Sequence, residues 1–491
     1  MSLPKTALAG ETGATPMGCG ATNTVFDFLL PGAPNQLEPF LARTASQHIF
    51  YSHVTRGLLS QALDGGLEGN LAESWTVSDN HTRFEFRLKK AKWSDGSDIT
   101  SADLKKTFEA GKHAGATTHF DFRDIKEVGA KGDHIFWITT KTSSPGFLRN
   151  LLVPETGVLS EVSIKSKKIE AGQPTSGAYR ISSWDGASVL LKANSYFEGS
   201  APESPTCLRL ANTSKEILSN GAHFDLAWMP SNMDIKSHEA VMALGKVEKM
   251  EPPIAFTYFI AMNPDSKSLV SKACRTFIQS LLSPAKFDPA SFGPQYERAR
   301  QLYQHDGAGR PSKTWLDSFW KSVEETGAAK ACAPKERVRL AFSSVNAFHV
   351  DIEKRLRDAG LNIEPVAWAN SAEYVKVASN PSSYDMILLN NDYSGVELLE
   401  NLIVSFNPQR PYIKLAKGSP IHQMMTKAKA ATAPSERYPL YEAVAKTLLE
   451  EARIVPLAYE HILLYKAKNI DVSKLSVVSP DLRMWRVSVS K

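Results

Sequence analysis

Residues Arg337–Asp392 read RVRLAFSSVNAFHVDIEKRLRDAGLNIEPVAWANSAEYVKVASNPSSYDMILLNND, and the succession of periodicities in this stretch decides the fold class. RVRLAFSSV places Val338, Leu340 and Phe342 on one face of a strand. HVDIEKRLRDAG then takes helical spacing and stops at Gly360, and LNIEPVAW is the next strand. SAEYVKVAS forms a short helix leading to YDMILLNND, whose apolar run suits a strand covered on both faces. Strand, helix, strand, helix, strand predicts an α/β fold with a parallel sheet and right-handed crossovers. In such sheets ligands sit beyond the carboxyl ends of the strands. That rule picks out two segments, Ser343-Ser344-Val345-Asn346 and Asn390-Asn391-Asp392-Tyr393.

Toward the amino terminus, residues 287–335 carry clustered Pro, Gly and Ser with weak periodicity and predict an irregular connection. SGAYRISSWDGASVLLKANSYF, Ser176–Phe197, is a hairpin around Asp185-Gly186. TRFEFRLKKAKW puts Phe84, Phe86 and Leu88 on one side of a strand, within a β-rich section from about Leu71 to Trp137. KWSDGSDITSADLKKTF, Lys92–Phe108, adds an Asp-Gly turn and a helix. Thr100 and Asp103 have capping-box spacing, Leu104 and Phe108 recur at helical spacing, and Gly111 is the expected stop. TVFDFLL, Thr24–Leu30, reads as an opening strand, and GAPNQLEPFLARTASQHIF as a loop entering a helix.

At 491 residues the chain is long enough for two or three domains. A hydrophobic share of 42% with 22% charged residues is that of an ordinary globular protein, which argues against disorder. The net charge of +5 comes with no lysine- or arginine-rich block, so nucleic acid is not an expected partner. No apolar run approaches the about eighteen residues of a membrane span. Ala7-Leu8-Ala9 has the small-x-small pattern that precedes signal cleavage, so the head reads either as the remnant of an export signal or as a chance match. Cys19, Cys207, Cys274 and Cys332 are far apart, form no C-x-x-C pair, and leave their pairing open. PMGCG lacks the apolar run of a lipid-attachment motif at Cys19.

Local chemistry of the enzymatic kind is not found. GAGRPSKT from Gly307 imitates a phosphate loop, but Ser312 stands where a glycine is needed, Pro311 intrudes and no apolar strand precedes it. His48 with His53, and His113 with His119, miss the i, i+4 spacing of a helical metal pair. There is no G-x-S-x-G elbow. No cofactor is implied, and the chain is not expected to be an enzyme.

With these segments in hand, the chain resembles the extracytoplasmic solute-binding proteins of family 5, the peptide-, dipeptide- and nickel-binding components of ABC importers. GNLAESWTVSDNHTRFEFRLKKAKWSDGSDITSADLKKTF is similar to the family's hairpin, Trp-bearing turn and capped helix. LEPF, SGAYRI, NSYFEG, FDLAWMP, YFIAMN and ARIVPLAY resemble further family segments, in the same order along the chain. The resemblance implies a two-lobed periplasmic-binding-protein fold of type II with an extra domain. Lobe I would comprise 20–55, 175–256 and 461–491, the extra domain 56–174, and lobe II, with the parallel βαβ sheet, 257–460. The chain would cross between lobes near Ala255 to Met262 and near Pro456 to His461.

The implied function is capture of an oligopeptide-like ligand in an interlobe cleft, outside the cytoplasm, for delivery to a membrane ABC permease. A monomer is expected; the alternatives are a non-peptide solute, such as an oligosaccharide or metal chelate, and a ligand-sensing module. In LNNDYSG, Asp392 and Tyr393 match the family positions at which an aspartate takes the ligand's α-amino group, with Asn390 and Asn391 beside them; Leu389 replaces the family's tryptophan and Gly395-Val396 its Asp-Pro. The other reading of Asp392 is a strand-end cap. RTASQH lies where family members pair a ligand as an added strand, which makes Thr44, Ala45 and Ser46 candidates, with a helix N-cap as the alternative. Trp228 and Phe120 fall near cleft-facing positions and could stack on ligand groups, or pack in a core.

Overall fold

The computed structural model describes residues 19, 25–32, 38, 40, 44–62, 67–115, 120–200, 204–229, 235–250, 255–302, 309–326, 337–378, 380–392, 418–431, 433–473, 475 and 482–489. Arg337–Ser343, Asn362–Trp368 and Met386–Asp392 are strands, and Ala347–Asp358 and Ser371–Ala378 are the helices between them. Arg337–Ser343 pairs in parallel with both other strands. Val338, Leu340 and Phe342 pack on the side that holds Ile352 and Leu356, while Ala341 packs on the other side with Trp368 and Tyr384. Met386 and Leu388 face the first of these cores and Ile387 and Leu389 the second, as an apolar strand buried on both faces requires. The Ala347–Asp358 helix starts where the Asn346 side chain accepts from the Phe348 and His349 amides, and Gly360 follows it at φ +90°.

The sheet is mixed rather than purely parallel. Its order is Tyr296–Arg298, Ile454–His461, Ala255–Met262, Met386–Asp392, Arg337–Ser343 and Asn362–Trp368. The first three of these pair antiparallel with their neighbours. Periodicity reads a strand's faces, not its partners, so this half of the sheet needed the tertiary fold.

A second sheet has seven strands, in the order Val247–Met250, Leu464–Ala467, Leu226–Trp228, Val25–Leu30, Cys207–Asn212, Ser188–Ala193 and Tyr179–Trp184. The expected hairpin closes on Asp185, whose carboxylate accepts from the Ala187 and Ser188 amides at 2.8 and 2.6 Å while Gly186 takes φ +87°. Cys207, the first residue of its strand, is disulfide-bonded to Cys19. Cys274 is disulfide-bonded as well, and Cys332 lies outside the described residues.

Gly177, in the SGAYRI segment, lies against the last turn of the Ala45–Val54 helix and donates its N–H to Val54. A β-carbon there would come within 2.3 Å of the His53 carbonyl oxygen, a backbone atom with no room to retreat. Gly177→Ala is therefore expected to lower unfolding free energy by about 1–3 kcal/mol, measured by urea unfolding; an unchanged midpoint would show that the helix end can yield.

A third sheet, ordered Ala72–Val77, Arg83–Leu88, Ile135–Thr140 and Ile125–Lys131, is antiparallel throughout. Phe84, Phe86 and Leu88 are buried in a core of its own with Trp93, Leu104 and Phe108. The Asp103 carboxylate accepts from the Thr100 amide at 2.8 Å and its hydroxyl at 2.9 Å. The helix does not stop at Gly111. It runs Ser101–Ala114 and ends at Gly115, φ +84°. Gly111 instead lets the Phe122 ring lie on the helix, since a β-carbon would sit 2.4 Å from a ring carbon. A glycine that ends a helix and one that admits a ring look the same in sequence.

Candidate functional site

The six-stranded and seven-stranded sheets are connected through two neighbouring strands. Ala255 is paired with His461, and Phe256 with Glu460. Phe256 packs on the core of the seven-stranded sheet, whereas Tyr258, Phe259 and Ile260 are buried in the cores of the six-stranded one. On the returning strand Val455 and Leu457 belong to the six-stranded sheet, and Ile462 and Leu464 to the core of the other. Both crossings thus lie side by side at one end of the six-stranded sheet. Phe256 is also paired with Asp392, and Ser343 with Trp368, so the carboxyl ends of all three parallel strands point to that end.

Several residues expected from sequence converge here. Asn390 is opposite Tyr258 and exposed. Asn391 and Asp392 stand at the register positions opposite Thr257 and Phe256. Tyr393 lies outside the described residues. Trp228, the last residue of its strand, is buried with its ring centroid 6.3 Å from that of Phe256, at the crossing.

Others take different places. Phe120 is buried in the core of the third sheet, edge-on to Phe122 at 4.6 Å, which makes it a packing residue of that core. Thr44 is the N-cap of the Ala45–Val54 helix: its hydroxyl accepts from Gln47 N at 3.3 Å, and the Gln47 side chain accepts from Thr44 N at 3.2 Å. Ala45 and Ser46 are therefore helical, and of the three only Thr44 has the extended backbone that strand addition uses.

At the crossing stands a group that the sequence reading did not single out. The Tyr258 hydroxyl donates to Glu460 Oε2 at 2.9 Å, and Tyr296 makes a second hydrogen bond to the same carboxyl group. Asn346 Nδ2 donates to the Tyr258 oxygen at 3.4 Å while its Oδ1 caps the following helix. Glu460 is only partly buried as a residue, yet its carboxyl end lies among apolar and aromatic groups. Desolvation there raises it to about 7, against the pull of the two phenols. Burial also holds His349 neutral, its pKa lowered to about 3, with Nδ1 accepting from Ser343 N at 3.1 Å. That bond fixes the start of the Ser343–Asn346 loop. Beside the crossing His461 Nε2 is 2.8 Å from Glu297.

The opposite end of the six-stranded sheet carries a cavity of about 840 Å³, lined by Asn263, Arg337, Arg339, Glu364, Ser382 and Asp385 among others. Two ion pairs lie in its wall: Arg339 makes two bonds of 3.0 Å to Asp385, and Arg337 is paired with Glu364. The arrangement is that of structural ion pairs.

Residues 66–276 match the family described as "Bacterial extracellular solute-binding proteins, family 5 Middle". Among curated relatives, the periplasmic oligopeptide-binding protein OppA of Escherichia coli (strain K12) is 27% identical over 175 residues, an alignment covering 31% of this chain and 31% of OppA. The match thus spans less than a third of that relative's length. Among solved structures, the periplasmic binding protein DppA from Helicobacter pylori in complex with the peptide STSA superposes with a TM-score of 0.79 at 15% identity, over 96% of this chain and 98% of that one. NikA from Brucella suis in complex with Fe(III)-EDTA superposes with a TM-score of 0.78 at 14% identity, over 95% and 100% of the two chains. These likenesses establish the two-lobed α/β binding-protein fold.

Proposed function

We propose, from the premise that the chain is a family 5 extracellular solute-binding protein, that it captures an oligopeptide-like solute between two lobes outside the cytoplasm and passes it to a membrane ABC permease. No bond is made or broken in this role. The observation that carries the reading is the pair of adjacent crossings, Ala255 with His461, placed at the end of the sheet where three parallel strands terminate. Two neighbouring strands form a hinge about which the sheets can rotate as bodies, and rotation there would open or cover the strand ends. Lobe I would be 20–55, 175–256 and 461–491, with 56–174 as its extra domain and 257–460 as lobe II. The protein would act as a monomer. The disulfide between Cys19 and Cys207 suits an oxidising, extracytoplasmic compartment.

Within the cleft, Asp392 would take the peptide's ammonium group, flanked by Asn390, Asn391 and Tyr393, and Trp228 would offer an aromatic wall from lobe I. A carboxylate paired with an ammonium away from water makes a charge-assisted bond, which selects for a free amino terminus. Thr44, with Ala45 and Ser46, would lend backbone groups from the start of the helix.

Mass spectrometry of solute released from the purified protein is the direct test. An intact peptide is expected; a sugar or metal chelate would keep the fold and replace the solute class, and cleaved fragments with turnover would overturn the binding role. Small-angle scattering should show a smaller radius of gyration with saturating peptide, and an unchanged radius would remove the closing hinge.

A further inference from the structure

The crossing holds an ionisable group with an unusual set of neighbours. Glu460 receives hydrogen bonds from the neutral phenols Tyr258, on the Ala255–Met262 strand, and Tyr296, on the Tyr296–Arg298 strand. Beyond Tyr258 stand Asn346 and, ring-edge on at 5.6 Å, His349 from the Ala347–Asp358 helix, which is neutral. The adjoining titratable groups along the strands are His461 and Glu297, which lie 2.8 Å from each other. Among the described residues no lysine, arginine or histidine is paired with Glu460 itself. A carboxylate held away from water by phenols is costly to keep ionised, and among the described residues the ordinary remedy, a paired counter-cation, is not found.

Its position gives that cost a mechanical meaning. Glu460 is the penultimate residue of the strand that leaves the six-stranded sheet, and it is paired with Phe256, the residue of the incoming strand that packs on the other sheet's core. Tyr258 links it onward through Asn346 to the loop at the carboxyl end of Arg337–Ser343. A rotation at the crossing therefore acts on the surroundings of this carboxyl group.

We propose that Glu460 is a proton-binding site at the hinge: opening of the lobes admits water to its carboxyl group and favours the ionised form, closure excludes water and favours the protonated form, and external pH so biases the lobes and tunes solute affinity. The last step rests on the solute-capture reading; the proton site itself does not. Since burial raises the carboxyl's proton affinity in the fold, the sign is fixed. Stability and closure are both favoured at low pH and decline as pH rises through neutrality. One linked proton changes the closed-to-open ratio by at most about tenfold per pH unit.

The test uses the full chain without solute, the proton being the probe. Small-angle scattering and thermal melting are followed from about pH 5.5 to about pH 8.5, a window that brackets the expected transition. The wild type should be more compact and melt higher at the acid end, with a midpoint near neutrality. Glu460→Gln, which mimics the protonated form, should stay compact across the range and lose that part of the melting slope. Tyr258→Phe removes a donor that favours the ionised form, so its transition should move to higher pH. A flat wild-type radius, a transition preserved in Glu460→Gln, or an unmoved midpoint in Tyr258→Phe would each overturn the proposal. Peptide-induced compaction at fixed pH, measured alongside, separates the two readings. Its presence without a pH transition sinks only the proton site, and the reverse sinks only peptide capture.

Discussion

Asp392→Asn is expected to weaken binding of an unmodified peptide by a factor on the order of a hundred to several thousand, with folding almost unchanged. The substitution keeps the shape of the side chain and deletes its charge, which leaves a desolvated ammonium without a partner. Breaking one side of a buried pair costs about 3–5 kcal/mol, and about 1.4 kcal/mol is tenfold in affinity. Asp392 ends the Met386–Asp392 strand opposite Phe256, at the crossing between the sheets, where the proposed cleft would exclude water on closure. Acetylating the peptide's amino terminus should cost the wild type a similar factor. The acetylated peptide with Asp392→Asn should lose far less than the two penalties combined, because both changes delete one interaction. Calorimetric titration of the four combinations measures the coupling. Additive penalties, or full affinity in the variant, would return Asp392 to the role of a strand-end cap.

Removing the bond between Cys19 and Cys207 should produce the largest loss of stability. The two residues are 188 positions apart, and closing a loop of that length restricts the unfolded chain by an amount on the order of 5 kcal/mol in the chain-entropy account. Native bridges return about 2–5 kcal/mol in practice. Both sulfurs are buried beside Leu190 at the start of the Cys207–Asn212 strand. A double substitution, Cys19→Ala with Cys207→Ala, isolates this bridge, whereas a reductant would also open the one made by Cys274. A fall in the denaturant midpoint is expected; an unchanged midpoint would mean that the tethered head adds nothing to the cooperative fold. Since Cys19 is engaged in this bond, its sulfur does not carry a lipid in this form of the chain.

How much of this was legible in sequence follows from how local each signal is. Arg337–Asp392 could be read directly because each element carries its own periodicity and each helix its own cap, Asn346 at one end and Gly360 at the other. The same holds for Thr100 with Asp103 and for the Asp185-Gly186 turn. The antiparallel half of the six-stranded sheet was not legible, because Tyr296–Arg298 and Ile454–His461 find each other across about 150 residues with no connecting pattern. Glu460 was hidden for the same reason. Tyr258, Tyr296 and Glu460 lie in three separate segments, and only the strand register brings the two phenols to one carboxylate, with Asn346 from a fourth segment behind Tyr258. Asp392 was visible only through resemblance, since a lone Asp after an apolar strand has an equally good explanation as a cap.

The placement of Leu464–Ala467 in the seven-stranded sheet has a consequence for the order in which the molecule can be built. That strand lies between Val247–Met250 and Leu226–Trp228, and it is the one through which Val247–Met250 joins the sheet. All six strands of the other sheet come from residues 255–461, a single uninterrupted stretch. A chain emerging from its amino terminus, from a ribosome or through a translocation pore, therefore has every strand of the later sheet in hand before it can finish the earlier one. Of these two sheets, the first to be started is the last to be completed. Until residue 467 arrives, Leu226–Trp228 presents an unpaired edge, the kind of surface that recruits wrong partners. The bridge from Cys19 to Cys207 joins only segments already delivered by then, so it can hold the incomplete sheet together while its closing strand is still to come.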